Sequence, residues 1–256
     1  MKKLAVRFFV GLLIVLALVA GAGFVVYDRI LPAKFTEAGR FEQDVLVMIV
    51  PGSGINVIAN QLAGLGLIEH GLLFRIKSQL AGEATRLQAG EYLIPSRASL
   101  DDIFAMMRTG AVLQHAITIA EGLTSQMIAQ SLAANELLTG NIDVIPPEGS
   151  LLPETFHVVR GTSRNALLGR MQRDQSNLLA ALWAERAPDL PFSTQQQALV
   201  LASIVEKEAG QSKEQQRVAA VFVNRLRKGM RLESDPTIIY GLSGGQPLGR
   251  GLRRSE

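Results

Sequence analysis

The chain has 256 residues, apolar residues make up 48% of it and charged residues 19%, with pI about 9.4 and mean hydropathy +0.21. That composition excludes a disordered chain, and 26 Lys+Arg against 23 Asp+Glu leave a net charge of +3, too small to predict nucleic acid as a partner. The absence of cysteine excludes disulfides, thiolate zinc sites, iron–sulfur clusters and a Cys nucleophile, and His70, His115 and His157 stand too far apart to predict a metal site. No P-loop, dinucleotide fingerprint or G-x-S-x-G is present, so no cofactor is expected.

Nineteen residues from Phe8 to Val26 carry no charge, and as a helix they are roughly 28 Å long, close to a bilayer core. Lys2, Lys3 and Arg7 precede them, which predicts a cytoplasmic N-terminus and an extracytoplasmic remainder. A cleaved signal peptide is the competing reading, with Ala20-Gly21-Ala22 as its site; the apolar run through Phe24-Val25-Val26 favours an uncleaved single-pass anchor over residues 1–27.

Residues 28–44 are mixed and polar and read as a linker. Val45–Val50 reads as a strand ended by Pro51-Gly52-Ser53-Gly54, and the apolar stripe Ile55, Ile58, Ala59, Leu62 and Leu65 as a helix. A helix over 71–81, a strand over 90–94 and a helix over 99–108 follow, the last with Ser99 as N-cap and Asp101-Asp102 in its first turn. A weak repeat at an offset of seventy aligns 49–62 with 119–132, with Ile49/Ile119, Gly52/Gly122, Ile58/Ile128, Ala59/Ala129 and Leu62/Leu132 coinciding. It predicts β-α-α-β modules. A short strand over 155–159 precedes helices over 163–187, 194–208 and 213–227, the last with apolar Val218, Val221, Phe222 and Leu226. Asp235 as N-cap and Pro236 at the first position then start another helix.

The run 198–205 has one polar member, Ser203, and reads as a helix buried nearly all round, with Glu206-Lys207-Glu208 at its end. A carboxyl held against an apolar wall resists ionisation and can act as a general acid near neutral pH. Glu206 shares a helix face with Leu199, Ala202 and Ser203, and Glu208 with Leu201, Ile204 and Val205, so periodicity does not choose between them. A buried helix that simply ends in solvated charges reads equally well. Asn224-Arg225 fits sugar hydroxyls or a solvated face, Ser234–Thr237 a ligand or a capping box, Tyr240 a stacking platform or core, and Glu154 a second carboxylate or a solvated loop acid.

Three motifs in close order, Leu201–Glu208, Val221–Leu232 and Ser234–Gly241, resemble those of the YceG-like endolytic murein transglycosylase family, and 51–53, 87–92 and 121–122 resemble its LysM-like region. The resemblance implies an α+β protein: an N-terminal transmembrane helix, a LysM-like β-α-α-β domain over 45–112, and a mostly helical YceG-like catalytic domain over 113–256, incomplete at its C-terminus. It implies an enzyme of the inner membrane, its catalytic domain periplasmic, that cuts peptidoglycan strands internally and leaves 1,6-anhydro-MurNAc ends. Peptidoglycan synthases are the implied protein partners. Glu206 matches the family's catalytic acid, while Asn224, Ser234, Asp235, Thr237, Tyr240 and Glu154 match or flank positions that would bind substrate. Two departures stand out: the family's Gly-Tyr-Leu-Phe-Pro-Asp-Thr-Tyr stretch is here Gly149–Phe156 with Glu154 for Asp and Phe156 for Tyr, and the chain stops at 252–256 inside a motif. A hydrolytic muramidase using Glu154 or Asp235, and a non-catalytic glycan-binding scaffold, are the rival readings.

Overall fold

The computed structural model describes residues 2–82, 87–246 and 248–253, with side chains from residue 10 onward. Met1 of the N-terminal tip, and the end of the 252–256 stretch, lie outside the described residues. The chain divides into two units, one up to Leu113 and one from Gln114.

The first unit opens with α1 (Lys2–Val25), which runs through a π-helical turn (Val26–Ile30) into α2 (Leu31–Thr36). Residues 10–36 form a helical span whose most apolar 18-residue window has mean hydropathy 2.6, with none of that window buried in the protein. It is long and apolar enough to cross a membrane, which is compatible with a single-pass anchor. The residues read as a linker are not extended at first: the helix carries on through Thr36, because Phe35 has an apolar site to fill and is only 4% exposed. Lys77 Nζ lies 5.1 Å above that ring.

β1 (Val45–Ile49), α3 (Ile55–Gly64), α4 (Gly71–Leu80) and β2 (Gly90–Ile94) form the β-α-α-β arrangement that the pattern predicts, with β1 and β2 antiparallel in the register Val47↔Tyr92. Val47, Ile49, Ile58, Leu62, Phe74, Tyr92 and Ile94 face one core. Leu65, read as part of the helical stripe, is 48% exposed, since α3 stops at Gly64 and Leu65 caps it. α5 (Leu100–Thr109) begins with a full capping box: Ser99 Oγ accepts from Asp102 N, and the Asp102 carboxylate accepts from Ser99 N and Oγ.

The second unit repeats the opening of the first. β3 (His115–Thr118) leads through a turn into α6 (Ser125–Ala134), and the residues that coincide in the repeat are buried in both copies: Ile49 and Ile119, Ile58 and Ile128, Ala59 and Ala129, Leu62 and Leu132. Gly52 and Gly122 have φ of +83° and +71°, the left-handed turn that frees each strand to feed its helix. The copies then diverge. A β-α-α-β module is not repeated: β4 (Leu138–Thr139) follows α6 directly, and β3 pairs antiparallel with β5 (Thr155–Val158), while β4 runs parallel to β6 (Thr162–Ser163). Arg164, at the start of α7 (Arg164–Ala184), replaces a second packing helix by closing the end of α6. Its guanidinium donates to the carbonyls of Leu132, Ala133, Asn135 and Gly140 at 2.7–3.0 Å.

α8 (Gln195–Glu208), α9 (Ser212–Arg227) and α10 (Asp235–Ser243) complete the unit, with α8 packed against α7, α9 and α10. α8 is not buried all round, as its apolar run predicts; only Leu201 and Val205 are buried, against Phe222 of α9, and Val200 is 50% exposed. The same holds on α9, where Phe222 is buried and Val221 is 51% exposed. The helices meet along one stripe each, so apolar residues off that stripe stay at the surface.

Replacing Ser99 with Ala is expected to lower unfolding free energy by about 1 kcal/mol, read by denaturant unfolding of the detergent-solubilised chain. The Ser99 hydroxyl and amide hold the Asp102 carboxyl below its ordinary range. A depressed carboxyl stabilises the fold above its unfolded value and loses that contribution as pH falls through the folded one. The difference between wild type and the Asp102→Asn variant should therefore be full at pH 7 and shrink only below about pH 4. Arg164→Ala should cost roughly 2 kcal/mol or more in the same assay, because it leaves several helix-end carbonyls without their charged donor.

Candidate active site

The two acids at the end of α8 are separated by the geometry that periodicity left open. Glu206 is half-buried, whereas Glu208 is exposed. Gln215 Nε2, in the first turn of α9, donates to Glu206 Oε2 at 2.9 Å. On its other side Glu206 meets the turn between β3 and α6. A Cβ built on Gly122 would lie 3.5 Å from Glu206 Cγ and 3.1 Å from Lys207 Cε and Nζ. The end of α8 thus lies against the Gly122 backbone, where an added Cβ would meet Glu206 Cγ at ordinary contact distance and press only on the tip of Lys207.

Further contacts seat the helix. A Cβ on Gly149 would lie 2.8 Å from Leu199 Cδ2, so the 147–150 loop closes on the middle of α8. That loop is itself tied to α6: Glu148 accepts from Ser125 N, and Ser125 Oγ donates to the Pro147 carbonyl at 2.9 Å. The N-cap of α6 is Thr124, whose Oγ accepts from Met127 N. The turn after α10 leans on the same place, since a Cβ on Gly245 would lie 2.5 Å from Thr124 Cγ2 and 3.3 Å from the Tyr240 ring. Residues 121–124 are therefore where the ends of α8 and α10 converge.

The candidates from sequence fall into distinct positions around that point. α9 carries Asn224, and α10 with its preceding residue carries Ser234, Asp235, Thr237 and Tyr240; both helices pack against α8. Asn224, Asp235 and Tyr240 are exposed, and at 48% exposure Tyr240 is not an ordinary core residue. Ser234 is 1% exposed and its Oγ has no hydrogen-bond partner among the described residues. It, rather than Asp235, is the N-cap residue of α10, with Pro236 at the second helical position, and its side chain makes no capping bond. Thr237 Oγ1 instead donates back to the Ser234 carbonyl at 2.7 Å. Glu154 immediately precedes β5. Its carbonyl accepts from Ile119 N, three residues before Gly122, and its own Oε1 accepts from Thr155 N at 3.0 Å.

Sequence reasoning left Gln215 and Gly122 without a role at Glu206, and gave Arg225 only a tentative place beside Asn224. Arg225 Nη1 donates to the carbonyls of Arg231 and Leu232 and to Glu233 Oε2, at 2.7–3.2 Å, and so fixes the loop that delivers Ser234. These contacts join residues that no short motif relates, apart from the repeat, which marked Gly122 without saying what rests on it. Among the described residues no cluster of His, Cys, Asp and Glu is arranged to hold a metal ion.

Glu206 is thus a half-buried carboxyl at a helix end, hydrogen-bonded from the next helix. The YceG-like family profile matches residues 47–255, and the chain belongs to that family. It is 26% identical over 276 aligned positions to an endolytic murein transglycosylase of Streptococcus pneumoniae serotype 2, an alignment covering 91% of this chain and 49% of that protein. It is 27% identical over 229 positions to the endolytic murein transglycosylase of Bacillus subtilis, covering 77% of this chain and 62% of that one. The chain thus spans about half the length of the pneumococcal relative. A crystallised YceG-like protein of Listeria monocytogenes superposes with a TM-score of 0.43 at 24% identity, covering 83% of this chain and 79% of that one.

Gly122→Ala and Gly52→Ala should each cost about 1–2 kcal/mol for forcing a side chain into the left-handed turn. Only the Gly122 change meets a neighbour, because a Cβ at Gly52 finds open space. The ¹³C resonance of Lys207 Cε should therefore move in Gly122→Ala and stay in place in Gly52→Ala.

Proposed function

We propose that this chain is a lytic transglycosylase that cuts peptidoglycan strands internally, at the bond between MurNAc and GlcNAc, and that Glu206 carries the reaction. The observation that carries the reading is the seating of Glu206: half-buried, backed by the Gly122 turn and hydrogen-bonded by Gln215, in a chain of the YceG-like family. The names of the pneumococcal and Bacillus relatives support the reaction class.

One carboxyl suffices if the substrate brings its own nucleophile. Protonated Glu206 gives its proton to the glycosidic oxygen as the bond from C1 of MurNAc to that oxygen breaks, and the GlcNAc side leaves as an alcohol. The Glu206 carboxylate then takes the proton of the C6 hydroxyl of the same MurNAc, whose oxygen closes on C1. The product is a 1,6-anhydro ring, no water is consumed, and Glu206 ends protonated as it began. A hydrolase would need a second carboxylate roughly 5–9 Å away to attack or to activate water. Glu154, at the sheet edge with Oε1 accepting from Thr155 N, is a poor fit for that part.

In this reading Asn224, Asp235 and Tyr240 line the strand groove, and Tyr240 offers a ring face to a sugar. The Ser234 hydroxyl, buried and unpartnered, is available to a substrate group or water that reaches past Asp235. Thr237 shapes the start of α10, and Glu154 borders the groove. Residues 113–256 form the catalytic domain and 45–112 a LysM-like domain joined by 28–44 to the anchor of 1–27. The basic N-terminal residues keep that end in the cytoplasm, which places both domains outside the inner membrane, where nascent strands and their synthases are met.

The test is digestion of purified peptidoglycan with the detergent-solubilised chain and mass spectrometry of the new ends. Anhydro-MurNAc ends should form with wild type, fall about 1,000-fold with Glu206→Gln, and change less than about 3-fold with Glu154→Gln. Reducing ends, or unchanged cutting by Glu206→Gln, would overturn the assignment.

A further inference from the structure

The groups that surround a carboxyl used first as acid and then as base must hold it in both states. A carboxylate only accepts hydrogen bonds, while a carboxylic acid also donates one. A Lys or Arg beside it would favour the ionised form alone, and an apolar neighbour would leave it unaimed. The residue that Glu206 meets on α9 is neither. Gln215 is a neutral amide, half-buried, with Nε2 at 2.9 Å from Glu206 Oε2.

The position is fixed by a short connection. Ala209 N donates to the Val205 carbonyl and closes α8, and Glu214 N donates to the Gln211 carbonyl and opens α9, leaving three residues, 209–211, between the helices. Phe222, packed against Leu201 and Val205, holds the two helices together further along. The first turn of α9 is thereby set against the last turn of α8, and the amide end of Gln215 reaches the carboxyl from one side while the Gly122 turn supports it from another.

We propose that Gln215 is a positioning residue for Glu206, holding one carboxyl oxygen in both protonation states so that the other is aimed at the glycosidic oxygen and then at the C6 hydroxyl. The inference rests on the reading of Glu206 as the reacting acid. With Glu206 ionised the Gln215 NH₂ donates to Oε2. With Glu206 protonated on the other oxygen, which faces the glycosidic bond, Oε2 is the acid's carbonyl oxygen and still accepts from the same NH₂. No proton passes to Gln215 and its charge never changes.

Initial rates of anhydro-end release, measured against strand concentration for wild type, Gln215→Leu, Gln215→Lys and Glu206→Gln, test this. Gln215→Leu keeps the bulk and loses the hydrogen bond to Oε2, so kcat should fall roughly 100-fold with KM within about 2-fold. Gln215→Lys keeps a donor but adds a charge that favours the ionised form of Glu206 over the acid, and kcat should fall at least as far. Thermal unfolding midpoints followed by circular dichroism should agree with wild type for both, since Gln215 lies at the surface edge of the helix pair. Wild-type kcat in either variant, or a fall in kcat matched by a rise in KM, would overturn the role of Gln215 while leaving that of Glu206 intact. A wild-type chain that releases no anhydro ends, or a Glu206→Gln chain that cuts normally, would overturn the reading of Glu206 and the role of Gln215 with it.

Discussion

The contact on which the second unit turns is the approach of α8 to the backbone at Gly122. The aliphatic parts of Glu206 and Lys207 lie 3.1–3.5 Å from where a Cβ on this glycine would sit. The same turn occurs at Gly52 in the first unit, with the same left-handed backbone, and no described atom lies within 4 Å of a Cβ built there. Glycine is thus favoured in both copies by the turn, and in the second copy it also leaves room for the tip of Lys207. A repeated strand–turn–helix supplies the platform, and the second copy is the one on which the end of α8 rests.

From that platform the remaining contacts follow in order. The α6 N-terminus, capped by Thr124 and Glu148, carries the 147–150 loop, which closes on Leu199, and the turn after α10, which leans on Thr124. Arg164 secures the far end of α6 through four carbonyls, so the helix that bears this load is pinned at both ends. The small core among α7–α10, with Leu201, Val205 and Phe222 at its centre, then has only to fix the rotation of α8 so that Glu206 rather than Glu208 turns inward. This division of labour explains how a thinly packed helical layer still places one carboxyl reproducibly.

Much of this was legible in the residues. Ser99 as N-cap, with Asp101 and Asp102 in the first turn, marked the start of α5 because capping is local chemistry, and the helices read over 163–187, 194–208 and 213–227 are found over 164–184, 195–208 and 212–227. The repeat correctly singled out four buried pairs and a shared turn. What failed were inferences about how far an element is covered. An apolar run specifies what can be buried, and the supply of partners decides what is; hence Val200 and Val221 at the surface, and Phe35 buried in a stretch whose polarity read as linker. The repeat did not foretell the lone helix between β3 and β5, because divergence lies after the aligned segment. Gln215 was invisible at Glu206 for a different reason: a hydrogen bond across a helix pair depends on the rotation of both helices, which no spacing within either one encodes. The choice of Glu206 over Glu208 came from family resemblance; the structure half-buries Glu206 and leaves Glu208 exposed.

The first unit adds reach. The apolar helix passes without a break into α2, whose Phe35 docks in the first core, so the domain over 45–112 is held at a set distance from the end of the span. In the proposed function such a tether would keep the enzyme near membrane-attached strands, where local substrate concentration replaces affinity. The claim at the centre of this account is that bond breaking needs one carboxyl and no water. Digestion of peptidoglycan in ¹⁸O-labelled water, with mass spectrometry of every new chain end, reads that claim directly. The account predicts ends 18 Da lighter than reducing ends and free of ¹⁸O; one ¹⁸O at each new end would contradict it and make the reaction a hydrolysis.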